Sequence, residues 1–215
     1  MEKEIILTSA YLAPVEYYVK LFAYDKIYVE GEDHYVKQTY RNRCVIASAG
    51  GELALTVPTE KEESDKVRMR DIRISDHGNW RHVHWNALVA AYKQSPFFDY
   101  YADELAHFYE HKYEFLFDFN WDLCEWVCRQ MDLEAQMCIT EEYVPEWKGV
   151  DDFRELIHPK KDFRVADPDF FPKPYYQVFE LKHGFLPNLS IVDLLFNMGP
   201  ESILVLRDGV VKSKR

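Results

Sequence analysis

The most basic stretch of an otherwise acidic chain runs from His34 to Arg43 and reads HYVKQTYRNR. If this segment is extended, side-chain alternation places Lys37, Arg41 and Arg43 on one face. Such a face can hold a phosphate or a carboxylate through charge-assisted hydrogen bonds. The same charges also suit a solvated strand that pairs with the acidic residues just before it, because arginine pairs serve structure as readily as ligands. The segment is a candidate anion site with a structural alternative.

Imidazole groups are the second candidate chemistry, and they concentrate in WRHVHW, residues 80–85. An imidazole with a pKa near 6.5 exchanges protons at neutral pH, so His84 is a candidate general base. On a helix, His82 and His84 would point away from each other and would be poor partners for one metal ion. Ordinary packing is the alternative. His107 and His111 share a helix face, but no glutamate directly follows the first of them, as zinc peptidases require.

Polar side chains surround a short apolar helix that we predict within KHGFLPNLSIVDLLFNMGP, residues 182–200. Ser190 is placed as its N-cap, and the Asp193 carboxylate can return a hydrogen bond to the backbone of the cap. Gly199, followed by proline, ends the helix. Asn188, just ahead of the cap, has no such duty and is a candidate ligand group at the positive helix end.

The composition limits the partners that these groups can serve. The chain has 26 Lys and Arg against 37 Asp and Glu, a formal net charge of −11, which opposes broad attraction to nucleic acid or an anionic membrane. No apolar run approaches the roughly 20 residues that span a bilayer, and the first residues lack a signal-peptide pattern. The 4 cysteines form no C-x-x-C pair, which predicts free, mostly buried thiols. We expect a soluble cytoplasmic protein that binds no nucleic acid and has no integral membrane segment.

The chain opens with a strand, helix, strand pattern. EIILTS, residues 4–9, is a β-type run, Pro14 marks a helix start, and residues 15–24 are rich in aromatic side chains. KIYVE, residues 26–30, resumes strand character. Two strands joined by a helix favour a parallel pair and an α/β fold. Tyr11 falls in the loop after the first strand.

Two further β-type features follow. Two adjacent glycines separate residues 44–48 from residues 53–57, which predicts a hairpin. Residues 60–66 are charged and predict a solvated loop. VRMRDIRI, residues 67–74, alternates apolar and charged side chains, which predicts a half-exposed strand at a sheet edge.

The middle of the chain is predicted to be helical. Residues 81–94 and 98–111 form two helices, because Pro96 removes a backbone donor and restricts the residue before it. Asn120 then serves as the N-cap of a third helix over residues 121–131, which carries an apolar stripe.

The last third of the chain is less regular. Ile139 belongs to a short strand, and residues 151–174 carry four prolines, which predicts an irregular connection. Residues 202–211 are predicted to form a final strand pair around Asp208-Gly209. The whole pattern predicts an α/β fold, with α+β as the alternative. Residues 1–215 form a single compact domain with a mixed sheet and a helical middle section.

Several short blocks, taken in order, resemble the WbqC-like protein family. They are YLAP and YY (residues 11–14 and 17–18), KQTYRNR (37–43), LTVP (55–58), YKQSPFF (92–98), YQ (176–177) and LSIVDLLFN (189–197). Each block alone is weak, but their joint order spans nearly the whole chain.

Members of that family are often encoded among polysaccharide or O-antigen biosynthesis genes, and some look like acyl or aminoacyl transferases that modify an amino sugar. The resemblance implies a protein that modifies a small molecule, such as an amino sugar or a nucleotide sugar, in surface polysaccharide biosynthesis. Two other classes stay open. One is a non-catalytic sugar- or protein-binding module of the same pathway, and the other is a metal-dependent hydrolase that uses His77, His82 and His84.

The residues and the resemblance together predict one small-molecule site. It combines the loop after the first strand, the basic stretch and the segment ahead of the last apolar helix, with His84 as the candidate catalytic base. Lys37 and Arg43 are expected to bind an anionic group, such as the diphosphate of a nucleotide sugar. The expected substrate-binding residues are Tyr11, Lys37, Arg41, Asn42, Arg43, Tyr176, Gln177, Asn188 and Asp193. No metal ligand is expected, and neither the motifs nor the resemblance identify a cofactor.

Overall fold

A parallel sheet built from the first two predicted strands organises the fold. In the computed structural model, which describes residues 2–61, 64 and 66–210, β1 (Glu4–Thr8) pairs in parallel with β2 (Lys26–Glu30). The helix α1 (Val15–Ala23) makes the crossover between them. Two short strands extend the sheet to the order β5-β2-β1-β6, with β5 at Met137–Ile139 and β6 at Asp151–Asp152, and both added pairs are parallel. The predicted strand at Ile139 and the α/β class are confirmed.

The predicted hairpin forms a separate two-stranded sheet. Its strands are β3 (Arg43–Ser48) and β4 (Gly51–Thr56), and they pair antiparallel. Gly51 has φ +106°, a conformation that glycine adopts without strain. The sheet content is therefore mixed, as expected.

The remaining helices cover the chain between and after the strands. Their bounds are α2 Trp80–Tyr92, α3 Phe98–Glu110, α4 Leu116–Gln130, α5 Phe163–Ala166, α6 Glu180–His183, α7 Ile191–Met198 and α8 Ser202–Asp208. The predicted break between α2 and α3 is confirmed. The helix α1 packs against α7 and α8, and its residues from Val15 to Leu21 are all buried, including a glutamate and a lysine.

The predicted edge strand at residues 67–74 is wrong. A 3₁₀ turn, Met69–Asp71, occupies this segment, and single β-bridges flank it. Met69 and Ile72 are buried, and their spacing of three matches a turn of helix better than a strand. The backbone N–H of Met69 donates to the carbonyl of Asp33 at 2.8 Å, so tertiary pairing overrides the local alternation. Within the charged stretch 60–66, residues 62, 63 and 65 lie outside the described chain.

The predicted N-cap at Asn120 is also wrong, because α4 begins at Leu116 and Asn120 lies inside it. The buried Asn120 amide donates to Ser9 Oγ at 3.0 Å and to the Arg41 carbonyl at 2.8 Å. The polar side chain of Asn120 therefore makes a tertiary contact between α4 and two loops.

The predicted final strand pair is wrong as well, since residues 202–208 form α8. Ser202 and Leu206, one helical turn apart, are fully buried, and this face packs beside α1. Val211, the last residue of the predicted pair, lies outside the described residues. The connection over residues 151–174 is largely irregular, as expected, but it also supplies β6 and α5.

Candidate functional site

The carboxyl ends of the parallel strands open onto two adjacent cavities. In the sheet, β2 lies on one side of β1 and β6 lies on the other. The direction in which the chain adds strands therefore reverses between β1 and β6. Open parallel sheets bind ligands in the crevice at such a reversal. The larger cavity, of about 860 Å³, is lined by segments that follow β2 and β6, and the smaller, of about 180 Å³, lies beside the start of α1. The two cavities share Leu156.

Backbone hydrogen bonds bring together the three segments that the sequence predicts to form the site. The N–H of Tyr11, after β1, donates to the carbonyl of Tyr40 at 2.8 Å. The N–H of Val15 donates to the Leu189 carbonyl at 2.9 Å, and the N–H of Ser190 donates to the Val45 carbonyl at 2.7 Å. The loop after β1, the basic stretch with β3, and the approach to α7 are thus one connected unit.

Glu16 is a buried titratable group that lines the smaller cavity. Its side chain is buried in the first turn of α1, and Asn188 contacts both its backbone and its carboxyl group. The Asn188 Oδ1 accepts from the Glu16 N–H at 2.9 Å, and the Asn188 Nδ2 donates to Glu16 Oε2 at 2.9 Å. Asn188 has φ +57°, a conformation that asparagine tolerates better than most residues. Both polar atoms of the Asn188 side chain therefore contact Glu16, which is a structural duty that the sequence did not reveal. Its role as a ligand group stays a prediction.

The environment makes Glu16 suited to proton exchange at neutral pH. Burial raises the pKa of Glu16 from 4.5 to about 7, because desolvation disfavours the carboxylate. The hydrogen bond from Asn188 and the charge of Lys20 oppose this rise, and the charge of Asp167 adds to it. Tyr40, His158 and Lys161 line the same cavity. A sequence reading misses Glu16, since only its place among apolar neighbours in α1 hints at burial.

Asp193 lies at the centre of a buried hydrogen-bond network. Its Oδ1 accepts from Tyr92 Oη at 2.9 Å, and its Oδ2 accepts from Tyr175 Oη at 2.7 Å and from Gln177 Nε2 at 2.8 Å. Burial raises the pKa of Asp193, and these three donors oppose the rise. Ser190 occupies the predicted N-cap position of α7, but the capping box does not form, because the Ser190 hydroxyl donates to the Leu12 carbonyl at 2.7 Å. Asp193 and Gln177 therefore join α2, α7 and the segment before α6.

Tyr11 and His84 form a second buried cluster together with Tyr109. The Tyr11 hydroxyl lies 2.9 Å from His84 Nδ1 and 2.7 Å from the Tyr109 hydroxyl. His84 is only 4% exposed and also bonds to the backbone of Thr56. Burial lowers the pKa of His84 to about 4, so at neutral pH the ring is uncharged. The structure places this histidine beneath the surface and not on the wall of either cavity at the sheet edge.

We expect His84 to make the protein less stable as the pH falls below about 6.5. The unfolded chain would bind the proton near the ordinary imidazole pKa, whereas the folded chain binds it only near pH 4. As the pH falls, the unfolded chain therefore binds a proton before the folded chain does. This lowers the free energy of unfolding. Urea unfolding at about pH 7 and about pH 4.5 should show a stability loss roughly 2 kcal/mol larger in the wild type than in His84→Gln. Equal losses in the two proteins would contradict this assignment.

The basic stretch is not extended, so the one-face arrangement of Lys37, Arg41 and Arg43 that an extended segment would give does not form. Residues 37–42 form turns, and Gln38 has φ +62°. The buried Arg41 guanidinium pairs with Asp33 at 2.5 Å. Asn42 Nδ2 donates to the Val57 carbonyl at 3.0 Å, and Arg43 Nε donates to Thr56 Oγ1 at 3.0 Å. Internal partners thus hold all three of these polar side chains.

The other expected site residues lie apart from the two cavities at the sheet edge. Lys37 is exposed and lines a third cavity of about 320 Å³, together with Tyr35 and Thr59. Tyr176 is 51% exposed. Of the expected site residues, the structure therefore places Asn188 on the smaller cavity, while Lys37 and Tyr176 are on other surfaces.

The histidines and cysteines have separate surroundings. His82 is exposed and lies 2.8 Å from Asn86 Nδ2, whereas His84 is buried, so the two imidazoles point apart as expected. Across residues 2–61, 64 and 66–210, no three His, Cys, Asp or Glu side chains converge as metal ligands. The cysteines are free thiols, three of them buried and Cys138 partly buried, which confirms that prediction. Within the same residues, none of the helices combines the length and apolar character that crossing a bilayer requires.

Comparisons with known proteins agree with the resemblance seen in the sequence. The family model described as "WbqC-like protein family" matches residues 9–159. A relative from Mycobacterium tuberculosis (strain ATCC 25618 / H37Rv), "Uncharacterized protein Rv1507c", is 28% identical over 231 residues. The alignment covers 96% of this chain and 98% of that protein. No solved structure matches.

Proposed function

We propose, given that this chain belongs to the WbqC-like protein family, that it transfers an acyl or aminoacyl group to the amino group of an amino sugar or a nucleotide sugar. The step would belong to surface polysaccharide biosynthesis of the O-antigen type. One observation carries the proposal. Glu16, a buried acid with a pKa of about 7, lines a cavity where the strand order of the parallel sheet reverses.

The chemistry of acyl transfer to an amine requires a proton acceptor. The amine nitrogen bonds to the acyl carbon, the bond between that carbon and the leaving group breaks, and one proton must leave the nitrogen. A carboxylate with a pKa near the working pH is suited to take this proton, because it is ionised in part of the molecules and basic enough to hold the proton. Asn188 orients Glu16, because its Nδ2 donates to Glu16 Oε2 and its Oδ1 accepts from the Glu16 backbone N–H.

The two cavities give room for two substrates. The larger, of about 860 Å³, lies within the range of roughly 300–1,000 Å³ typical of ligand sites. Leu156 lines both cavities. A group bound in one cavity would therefore lie next to a group bound in the other. We assign the acceptor amine to the smaller cavity beside Glu16 and the acyl donor to the larger one.

One expected anion contact remains part of the proposal. Arg43 is the candidate for the diphosphate of a nucleotide sugar, and Lys37 is not, because it lines the separate third cavity. Arg41, Asn42, Gln177 and Asp193 would keep the walls in place through their internal hydrogen bonds. Saturation binding of nucleotide sugars to the wild type and to Arg43→Ala tests this assignment. Unchanged affinity in the variant would remove Arg43 from the site.

Product formation is the direct test of the function. The protein is incubated with amino sugars and nucleotide amino sugars, each with acyl thioester and aminoacyl donors, and products are detected by mass spectrometry. The matched control acceptor carries a hydroxyl group in place of the amine. We expect an N-acylated product from the amine alone. Absence of product with every donor, together with tight binding of the sugar, would favour a non-catalytic binding protein.

A sugar- or protein-binding module is the second candidate function. Four aromatic side chains are more than half exposed, namely Tyr100 at 75%, Tyr143 at 52%, Phe171 at 57% and Tyr176 at 51%. Exposed aromatic rings provide apolar contact area with a polar or rigid edge, which suits recognition of sugars and proteins. A stable partner in a pull-down, without turnover of any amino sugar, would support this function over the transferase.

A further inference from the structure

We propose that Asp167, fixed by Lys20, is a positioning residue that accepts a hydrogen bond from protonated Glu16. This inference rests on the transfer function proposed above. In the transfer step, Glu16 takes one proton from the acceptor amine, and the new O–H group donates to the Asp167 carboxylate. The proton count is unchanged, since Glu16 later passes its proton to the leaving group.

A buried oxygen atom without a donor is the first evidence. Glu16 and Asp167 are each 1% exposed. Glu16 Oε1 has no hydrogen-bond donor in the described part of the chain, and Asp167 acts on Glu16 both through its charge and through a side-chain hydrogen bond. Two carboxylates cannot bond, because both are acceptors. One proton on Glu16 supplies the donor for this contact.

Lys20 explains why the proton belongs to Glu16. Lys20 Nζ lies 2.8 Å from Asp167 Oδ1 and 2.6 Å from Oδ2, and only the first contact has hydrogen-bond geometry. The N–H of Asp169 also donates to Asp167 Oδ1 at 3.3 Å. With Lys20 and Asp167 neutralising each other, an ionised Glu16 would be a buried excess charge, which one proton removes.

Several other titratable groups surround Glu16. Its pKa is raised chiefly by burial and then by Asp167, while Asn188 and Lys20 lower it. Tyr40 also interacts electrostatically with Glu16. Glu52, His158 and Lys161 line the same cavity from the hairpin and from the segment after β6. Asp167 is therefore the carboxylate that most directly raises the proton affinity of Glu16.

The test is a carbon-13 NMR titration of the glutamate side-chain carboxyl groups in the full chain. Glu16→Gln assigns the Glu16 signal, which we expect to titrate near pH 7 in the wild type. In Asp167→Asn the midpoint should fall by about one pH unit or more, a roughly tenfold weaker proton binding. The matched control is Asp169→Asn, an exposed neighbour, in which the midpoint should stay within a few tenths of a unit.

A double variant covers the case in which Asp167→Asn does not fold. Lys20→Met with Asp167→Leu removes the buried ion pair as a whole, which proteins often tolerate. The Glu16 midpoint should fall there too, because the charge of Asp167 affects Glu16 more than the charge of Lys20 does. The inference is overturned if Glu16 titrates near pH 4.5 in the wild type. It is also overturned if the Glu16 midpoint does not change when Asp167 is replaced. If the titrations give the expected midpoints but the transferase assay gives no product, only the proposed reaction is overturned.

Discussion

Replacement of Asp193 by alanine is expected to lower the free energy of unfolding by about 3–5 kcal/mol. The carboxylate accepts from two tyrosine hydroxyls and one glutamine amide, and its residue is fully buried. Alanine would leave these three donors without acceptors in an interior that water does not reach, and it would add a cavity. The helices α2 and α7 would lose the polar link between them.

A graded series makes this prediction specific. Asp193→Asn should cost less than Asp193→Ala, because its amide oxygen can still accept from Tyr175 and Gln177 while its N–H₂ donates to the Tyr92 oxygen. Asp103, exposed on α3, is the matched control, and Asp103→Ala should change stability by no more than about 0.5 kcal/mol. Urea or thermal unfolding followed by circular dichroism gives the values. A loss below about 1 kcal/mol in Asp193→Ala would show that the network does not hold the fold.

The parts of the fold that were predicted correctly are those whose conformation depends on neighbouring residues in the sequence. A run of apolar residues, a proline at a helix start and a second apolar run specify β1, α1 and β2 over only residues 4–30. The glycine pair between β3 and β4 and Pro96 between α2 and α3 act over a few residues as well. Where a conformational preference is set by neighbouring residues, composition and spacing suffice to predict it.

Tertiary contacts explain where the sequence misleads. The run ILVL in α8 is rich in residues that favour strands, yet it is helical because its face packs beside α1. Asn120 resembles a cap but bonds to Arg41, 79 positions away. Glu16 is separated from Asn188 by 172 positions, and its altered acidity depends on burial by such distant segments. No local pattern predicts that contact, so the sequence identifies Asn188 as a candidate and misses the carboxyl group that it holds.

Glu16→Gln is expected to lower kcat/KM for acyl transfer by about 10²–10⁴-fold, the usual contribution of a general base. Glutamine has the shape of the protonated acid, so it can accept from Asn188 and donate to Asp167, and the cavity should keep its form. It cannot take a proton from the acceptor amine. The loss should therefore fall mainly on kcat, with KM for the amino sugar little changed.

The pH dependence distinguishes this chemical role from a structural one. The base form of Glu16 is the carboxylate, so wild-type kcat/KM should rise as the pH passes through about 7 and then level off. In Glu16→Gln this rise should disappear, because the amide does not titrate. Asp103→Asn, an exposed change on α3 that lies on the wall of neither cavity, is the control and should keep both the rate and the profile. Wild-type kcat/KM in Glu16→Gln, or the same pH rise in both proteins, would mean that another group accepts the proton.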